Sequence, residues 1–320
     1  MTKIKEHLKG AKTIGIGGHI RPDGDCVGAS LAMYQYIKKA FPKAKTHIYL
    51  EKPAGYFGFL KGFDEINSEF QRDIDYDVFL CLDCSKDRLG KGEKYFDKAA
   101  KTICIDHHIS NTKCAQIDYI VPDASSTSEL VYQVIEEEQI DRDIAEAIYV
   151  GIIHDTGVFR YANTSKKTME IGGKLIGYGI PFSKIIDETF YEKTYVQQQI
   201  LGRALLESIL FLEGRCIVSV IGKRTMDFYG VKPVDLDGIA SQLNVTKGAD
   251  CAVFLYETGL MEYKVSLRSN EHVNVAKVAK QFGGGGHVRA AGALMKGTVH
   301  DVINNLSVHI EKQLQEKQRC

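Results

Sequence analysis

Two short apolar runs, residues 76–84 (YDVFLCLDC) and 102–106 (TICID), are rich in strand-forming residues, and each carries an aspartate at or next to its end. A strand that is apolar on both faces belongs in a sheet covered on both sides, which in practice means a mostly parallel sheet flanked by helices. The rest of the N-terminal half fits that demand. Residues 13–18 (TIGIGG) and 45–50 read as further strands. Residues 26–40 read as a helix with Asp25 placed as its N-cap. Ser126 and Glu129 form a capping-box pattern at the head of another helix, and 144–153 is a third, running into His154-Asp155-Thr156-Gly157. Alternating strands and helices give an α/β domain.

Helical character continues through 165–177, 182–190 and 194–210, and the texture changes after Gly214. Strands are expected at 216–221, 252–256 and 263–268, helices at 237–243, 275–281 and 300–317, and a glycine-rich turn at 283–286. A chain of 320 residues is long for one domain. The expected division is an N-terminal domain over 1–193, a helical connector over 194–211 and a smaller C-terminal α/β domain over 212–320.

Lys+Arg and Asp+Glu balance at 41 each, with a surplus of three positive charges after residue 210 and a deficit of three before it. A protein that tracks long nucleic acid carries a basic stripe, so a long duplex is excluded as a substrate. The apolar runs are strand-length, so no membrane partner is expected. The start MTKIKEHLKG has no apolar core, and the eight cysteines are scattered; both point to a reduced, cytoplasmic protein without a secretory leader.

Chemistry-bearing residues recur at four places: His19, Asp23 and Asp25 after the first strand; Asp83 at the end of a strand; Asp106-His107-His108 at the end of another; and Asp155 after a helix. Ligands in open α/β sheets bind at the carboxyl ends of strands, where loops distant in sequence converge. Crowded carboxylates repel, and two divalent cations would remove that cost. Oxygen and imidazole donors suit Mn²⁺ or a similar ion, and a pair of such ions serves phosphoester hydrolysis. Other readings are weaker. Cys81-Leu82-Asp83-Cys84 is formally a CxxC but lacks a second pair. Gly15-Ile16-Gly17-Gly18-His19-Ile20 lacks the third glycine of a dinucleotide fingerprint, and no Gly-Lys-Ser/Thr follows Gly283–Gly286.

The ordered motifs HIRPDGD, LCLDCS, DHH and HDTGVFRY resemble the DHH phosphoesterase superfamily, which includes RecJ-like nucleases and family II inorganic pyrophosphatases. GGGGHVRAAG at 283–292 resembles the signature of its associated C-terminal domain. The match is best to the compact two-domain oligoribonuclease and pAp phosphatase type (NrnA-like). The resemblance implies one metal on His19, Asp23 and Asp83, and a second on Asp25, Asp83, His107 and Asp155. It implies that Asp106 orients the histidine pair and that His108 faces the phosphate, as hydrogen-bond donor or general acid. Asn111 becomes a weaker phosphate contact, and Arg88 either a site residue or one half of an exposed salt bridge. In the second domain, Arg268, His287 and Arg289, with the exposed amides of Gly285 and Gly286, become the substrate binders, gripping across a cleft what lies beyond the reacting phosphate. The implied substrates are short RNA, dinucleotides and pAp. Linear dinucleotides of cyclic dinucleotide turnover are the nearest rival, and pyrophosphate or mere RNA binding more distant ones. A homodimer is the candidate assembly.

Overall fold

The computed structural model describes residues 3–318, which form two compact units divided between Glu192 and Lys193. The first unit runs α1 (Ile4–Leu8), β1 (Thr13–Gly17), α2 (Gly24–Ala40), β2 (Lys45–Tyr49), β3 (Val78–Leu82), α3 (Glu93–Lys98), β4 (Lys101–Asp106), β5 (Ile117–Ile120), α4 (Thr127–Val134), α5 (Arg142–Thr156), α6 (Lys166–Ile176) and α7 (Phe182–Ile186). Its five strands pair in parallel in the order β2-β1-β3-β4-β5. This order places a topological switch between β1 and β3, where neighbouring connections leave in opposite directions and a crevice opens at the carboxyl ends. The two strands that flank the switch deliver His19 and Asp83.

The uniform apolarity of β3, buried at every residue, follows from cover on both faces. On one face Ile14, Ile16, Leu80 and Leu82 meet α2, which is buried almost all round because α5 lies over it. On the other, Tyr49, Phe79, Cys81 and Cys104 pack with Tyr95 and Phe96 of α3. Two glycines set how closely α2 and α5 approach: a Cβ on Gly28 would lie 2.4 Å from the Ala147 carbonyl oxygen, and one on Gly151 would lie 1.8 Å from Ser128 Oγ and 2.7 Å from Asp25 Oδ1. The second approach brings α5 against Asp25, a fully buried carboxylate of the site.

Several local expectations are corrected. Asp23, not Asp25, is the N-cap of α2: its backbone is extended, and its Oδ1 accepts from Asp25 N and Cys26 N, both at 3.1 Å. Asp25 lies in the first turn. The capping box at α4 is half made: Ser126 accepts from Glu129 N, but the buried Glu129 carboxylate receives the Ser125 and Thr168 hydroxyls instead of returning to Ser126. Asp155 does not follow α5 but occupies its last turn, which closes at Gly157 in the left-handed region. The helix expected at 182–190 is α7 followed by a π-turn over Asp187–Tyr191.

The second unit comprises α8 (Tyr195–Leu206), β6 (Ile209–Phe211), β7 (Cys216–Ile221), α9 (Lys223–Tyr229), α10 (Ile239–Leu243), β8 (Cys251–Gly259), β9 (Glu262–Ser269), α11 (Val275–Lys280), β10 (Gly285–His287), β11 (Ala290–Lys296) and α12 (Val299–Gln318). Its sheet is mixed, in the order β10-β11-β9-β8-β7-β6, with only β7 and β8 parallel. The stretch read as a connector packs within this unit: Ile200 and Ala204 join its core, and Ser219 Oγ donates to the Ala204 carbonyl. Gly283–Gly286 is not simply a turn, because Gly285 and Gly286 lie in β10. No helix among the described residues is long and apolar enough to cross a membrane.

Candidate metal centre

The site grows from three parallel strand ends and two helix termini. His19 leaves β1, Asp83 leaves β3 and Asp106 ends β4, while Asp23 and Asp25 open α2 and Asp155 closes α5. Asp83 has φ 62°, an uncommon conformation for a residue other than glycine, of a kind that costs ~1–3 kcal/mol and clusters at functional sites. Asp25, Asp83, Asp106 and His19 are buried; His107, His108 and Asp155 are half-buried, and Asp23 is at the rim.

The donor atoms fall into two groups that share Asp83. His19 Nε2 is 3.6 Å from Asp23 Oδ1 and 3.4 Å from Asp83 Oδ2. His107 Nε2 is 3.0 Å from Asp155 Oδ2, 3.7 Å from Asp83 Oδ1 and 3.9 Å from Asp25 Oδ2. Donors bound to one ion at about 2.1 Å stand roughly 3.0–3.4 Å apart, so both groups are close to ligating geometry. His19 Nδ1–H donates to the Ile20 carbonyl at 2.8 Å, and His107 Nδ1–H to the Ala124 carbonyl at 3.3 Å. In the neutral ring, those bonds would leave each Nε2 lone pair facing the carboxylates, the arrangement a metal-binding imidazole needs.

The electrostatics point the same way. Burial first, then Asp155, pushes the Asp25 carboxyl up to about 6. Burial, followed by Asp25, Asp23, Asp155 and Asp106, holds Asp83 well above the usual carboxylate range. Burial would lower the imidazoles, yet their polar neighbours win: His107 rises to about 9 through Asp155 and Asp25, and His19 to about 11 through Cys26 and Asp23. Acids that resist ionising beside bases that hold their protons mark a place short of positive charge. Bound cations would supply it, and the donors present fit them.

Asp106 does not orient both histidines. Its Oδ1 accepts from His108 Nδ1 at 2.7 Å and His108 N at 3.1 Å, and its Oδ2 from Asn111 Nδ2 at 2.7 Å, whereas His107 depends on Ala124. The Asn111 amide is therefore turned inward onto Asp106. The carbonyl of Arg88 receives Ile20 N–H at 2.9 Å, so the turn it sits in is tied to the loop that carries His19.

Three further residues were not singled out in the sequence. Thr127 N and Ser128 N, the first amides of α4, donate to the two oxygens of Asp25 at 2.6 and 2.8 Å, a helix N-terminus holding an anion. Thr127 Oγ1 donates to Asp83 Oδ1 at 2.9 Å. Cys26 places its sulfur against His19 and Asp83. The capping signal at Ser126 was a visible pointer to the α4 amides; nothing in the sequence marks Cys26. His154, beside Asp155 in the chain, instead packs on Phe57 and Phe190 with Nε2 3.0 Å from Thr189 Oγ1.

In the second unit, Arg268 on β9, Ala290 on β11 and His287 on β10 are register partners in series. Residues aligned across strands share a face, so Arg268 and His287 project to the same side of the sheet. Arg268 Nη1 donates to the Leu267 carbonyl and Arg289 Nη1 to the Val273 carbonyl. Gly286 has φ 140°, and a Cβ there would lie 2.4 Å from the Ala290 carbonyl oxygen, so only glycine fits this exposed hairpin.

Comparison with known proteins accords with this geometry. The DHH family, N-terminal domain, matches residues 13–152, and the DHHA1 domain matches 213–316. A protein of Thermus thermophilus named bifunctional oligoribonuclease and PAP phosphatase NrnA is 28% identical over 303 residues, covering 93% of this chain and 89% of its own. An exopolyphosphatase-related protein from Bacteroides fragilis has the same fold, with TM-score 0.90 at 24% identity over 98% of this chain and 95% of its own. RecJ of Thermus thermophilus, crystallised with Mn²⁺, aligns with TM-score 0.55 at 13% identity over 98% of this chain and 53% of its own.

Proposed function

Because the chain belongs to the DHH family, with a DHHA1 domain following, we propose that it hydrolyses phosphoesters of very short oligoribonucleotides and of 3′-phosphoadenosine 5′-phosphate. One observation carries the reading: the two oxygens of Asp83 are divided between His19 on one side and His107 on the other. A carboxylate with its oxygens so divided is suited to being shared by two cations. His19, Asp23 and Asp83 would hold one, and Asp25, Asp83, His107 and Asp155 the other. Hard oxygen and imidazole donors favour Mn²⁺. Bound there, two divalent cations would supply an activated water and stabilise the leaving oxygen.

The protein's own groups do the rest. The α4 amides and the Thr127 hydroxyl hold Asp25 and Asp83 in place. Asp106 holds the His108 ring through Nδ1, and in its imidazolium form the ring would offer Nε2–H to the phosphoester as hydrogen-bond or proton donor. Arg268, His287, Arg289 and the amides of Gly285 and Gly286 belong to the second unit and would bind the part of the substrate away from the reacting phosphate. The name of the Thermus relative supports short RNA and pAp, and balanced charge offers no long-range pull on a long strand.

Product analysis with Mn²⁺ tests this, using pAp, pyrophosphate and RNA of two to about twenty nucleotides, a span over which base stacking accumulates. Release of mononucleotides from dinucleotides and of phosphate from pAp is expected, with the rate per end falling steeply as the RNA lengthens. Equal rates on the longest RNA and on a dinucleotide would remove the short-substrate reading, and turnover of pyrophosphate alone would replace it.

A further inference from the structure

The CxxC at Cys81 and Cys84 lacked a partner in the sequence, and the fold supplies one. Cys81 on β3 and Cys104 on β4 are register partners, both in the aromatic layer on the α3 side of the sheet. Cys114, in the loop between β4 and β5, comes back to them. The sulfurs of Cys81, Cys104 and Cys114 all lie within 4.8 Å of one another, and Cys84 Sγ is 3.6 Å from Cys81 Sγ. We propose that Cys81, Cys104 and Cys114 form a thiolate site for a soft metal ion such as Zn²⁺, with its fourth position taken by Cys84 or by water.

Buried cysteines often serve as small apolar residues, which explains Cys81 and Cys104 individually. It does not explain Cys114, which is half-buried on a loop and is held at the cluster by a built turn: Asp118 Oδ1 accepts from Cys114 N and Ala115 N, both at 3.1 Å. The thiols of Cys81 and Cys104 share one acceptor, the Cys84 carbonyl, at 3.1 and 3.4 Å. An ion with sulfur ligands at about 2.3 Å sets them roughly 3.8 Å apart, within what this cluster allows. Each ligating thiol gives up its proton to solvent as the metal–sulfur bond forms, and no electron is transferred.

The position gives the site a consequence. The loop that carries His107 and His108 starts just after Cys104 and ends near Cys114, and both meet Cys81, two residues before Asp83. Asn111 links the two centres directly, donating to Asp106 Oδ2 at 2.7 Å and to Cys104 Sγ at 3.5 Å. An ion in the cluster would pin both ends of that loop to β3.

The test is a Co²⁺ titration of the full reduced chain, followed by absorption spectroscopy. Sulfur-to-Co²⁺ charge-transfer bands require thiolate ligands, so cobalt held by the carboxylates and imidazoles does not produce them. We expect such a band in the wild type, its bleaching by Zn²⁺, its loss in Cys114→Ser and Cys104→Ser, and its persistence in Cys26→Ala. Should Cys104→Ser fail to fold, Cys114→Ser alters only the half-buried loop residue and carries the test alone. Absence of a sulfur band in the wild type, or an undiminished band in Cys114→Ser, would overturn the proposal. Neither result depends on hydrolytic activity.

Discussion

The acid at the end of β4 shows how neighbouring residues of one motif take separate work. Asp106 is buried, and it spends both oxygens on the His108 ring and the Asn111 amide. Burial alone would raise its carboxyl, but the His108 hydrogen bond and charge hold it below the usual range, so it stays an anion beside the ring. His107 has a different anchor, the Ala124 carbonyl. Asp106→Asn should therefore release His108 and leave His107 in place. Activity at saturating Mn²⁺ is expected to fall about 10–100-fold, the range for losing such an orienting partner, with Mn²⁺ affinity less affected. Wild-type turnover in this variant would show that Asp106 only shapes the turn.

At the scale of elements, α5 presents Asp155 at one end and depends on a cap at the other. Asp141 accepts from Ile144 N at 3.1 Å and pairs with Lys39. Although burial opposes it, the Ile144 amide and Lys39 hold the Asp141 carboxyl below its usual range. A carboxyl depressed in the folded state contributes stability that is present above its unfolded pKa and lost as pH falls through the folded one. Asp141→Ala should cost about 1 kcal/mol at neutral pH in urea unfolding, and the gap to wild type should close below about pH 4. A gap independent of pH would assign the loss to packing. The elements that sequence revealed are those with strong local signals: the apolar runs of β1, β3 and β4, and α2 with its acidic head. β5 escaped because it is a half-buried edge strand of four residues, and β11 because alanine and glycine dominate its start. β10 reads as a turn because it is three residues long, two of them glycine, and its strand form comes from pairing with β11 across a tight hairpin. The site's aspartates and histidines were legible because strand ends in such a sheet converge; the α4 amides and Cys26 were not, since backbone groups and a core thiol leave no pattern.

For the molecule as a whole, the charge of the site bears on stability as well as on catalysis. Four carboxylates crowd into it, and cations bound only in the folded state would stabilise that state by mass action. At a Mn²⁺ concentration 100 times the dissociation constant, the gain is about 2.7 kcal/mol, which raises Tm by roughly 5–10 °C for a unit of this size. EDTA should lower Tm by that amount and abolish turnover, with Mn²⁺ restoring both better than Zn²⁺. An unchanged melting curve would mean that no ion is held by the folded chain. The central claim is that Asp83 serves two cations in one phosphoesterase site, and it is tested most directly by the turnover of pAp and a dinucleotide by Asp83→Ala beside wild type at saturating Mn²⁺. The account predicts a loss of about 1,000-fold or more with both substrates, since several kcal/mol of transition-state stabilisation leave together. Near wild-type turnover by Asp83→Ala would contradict it.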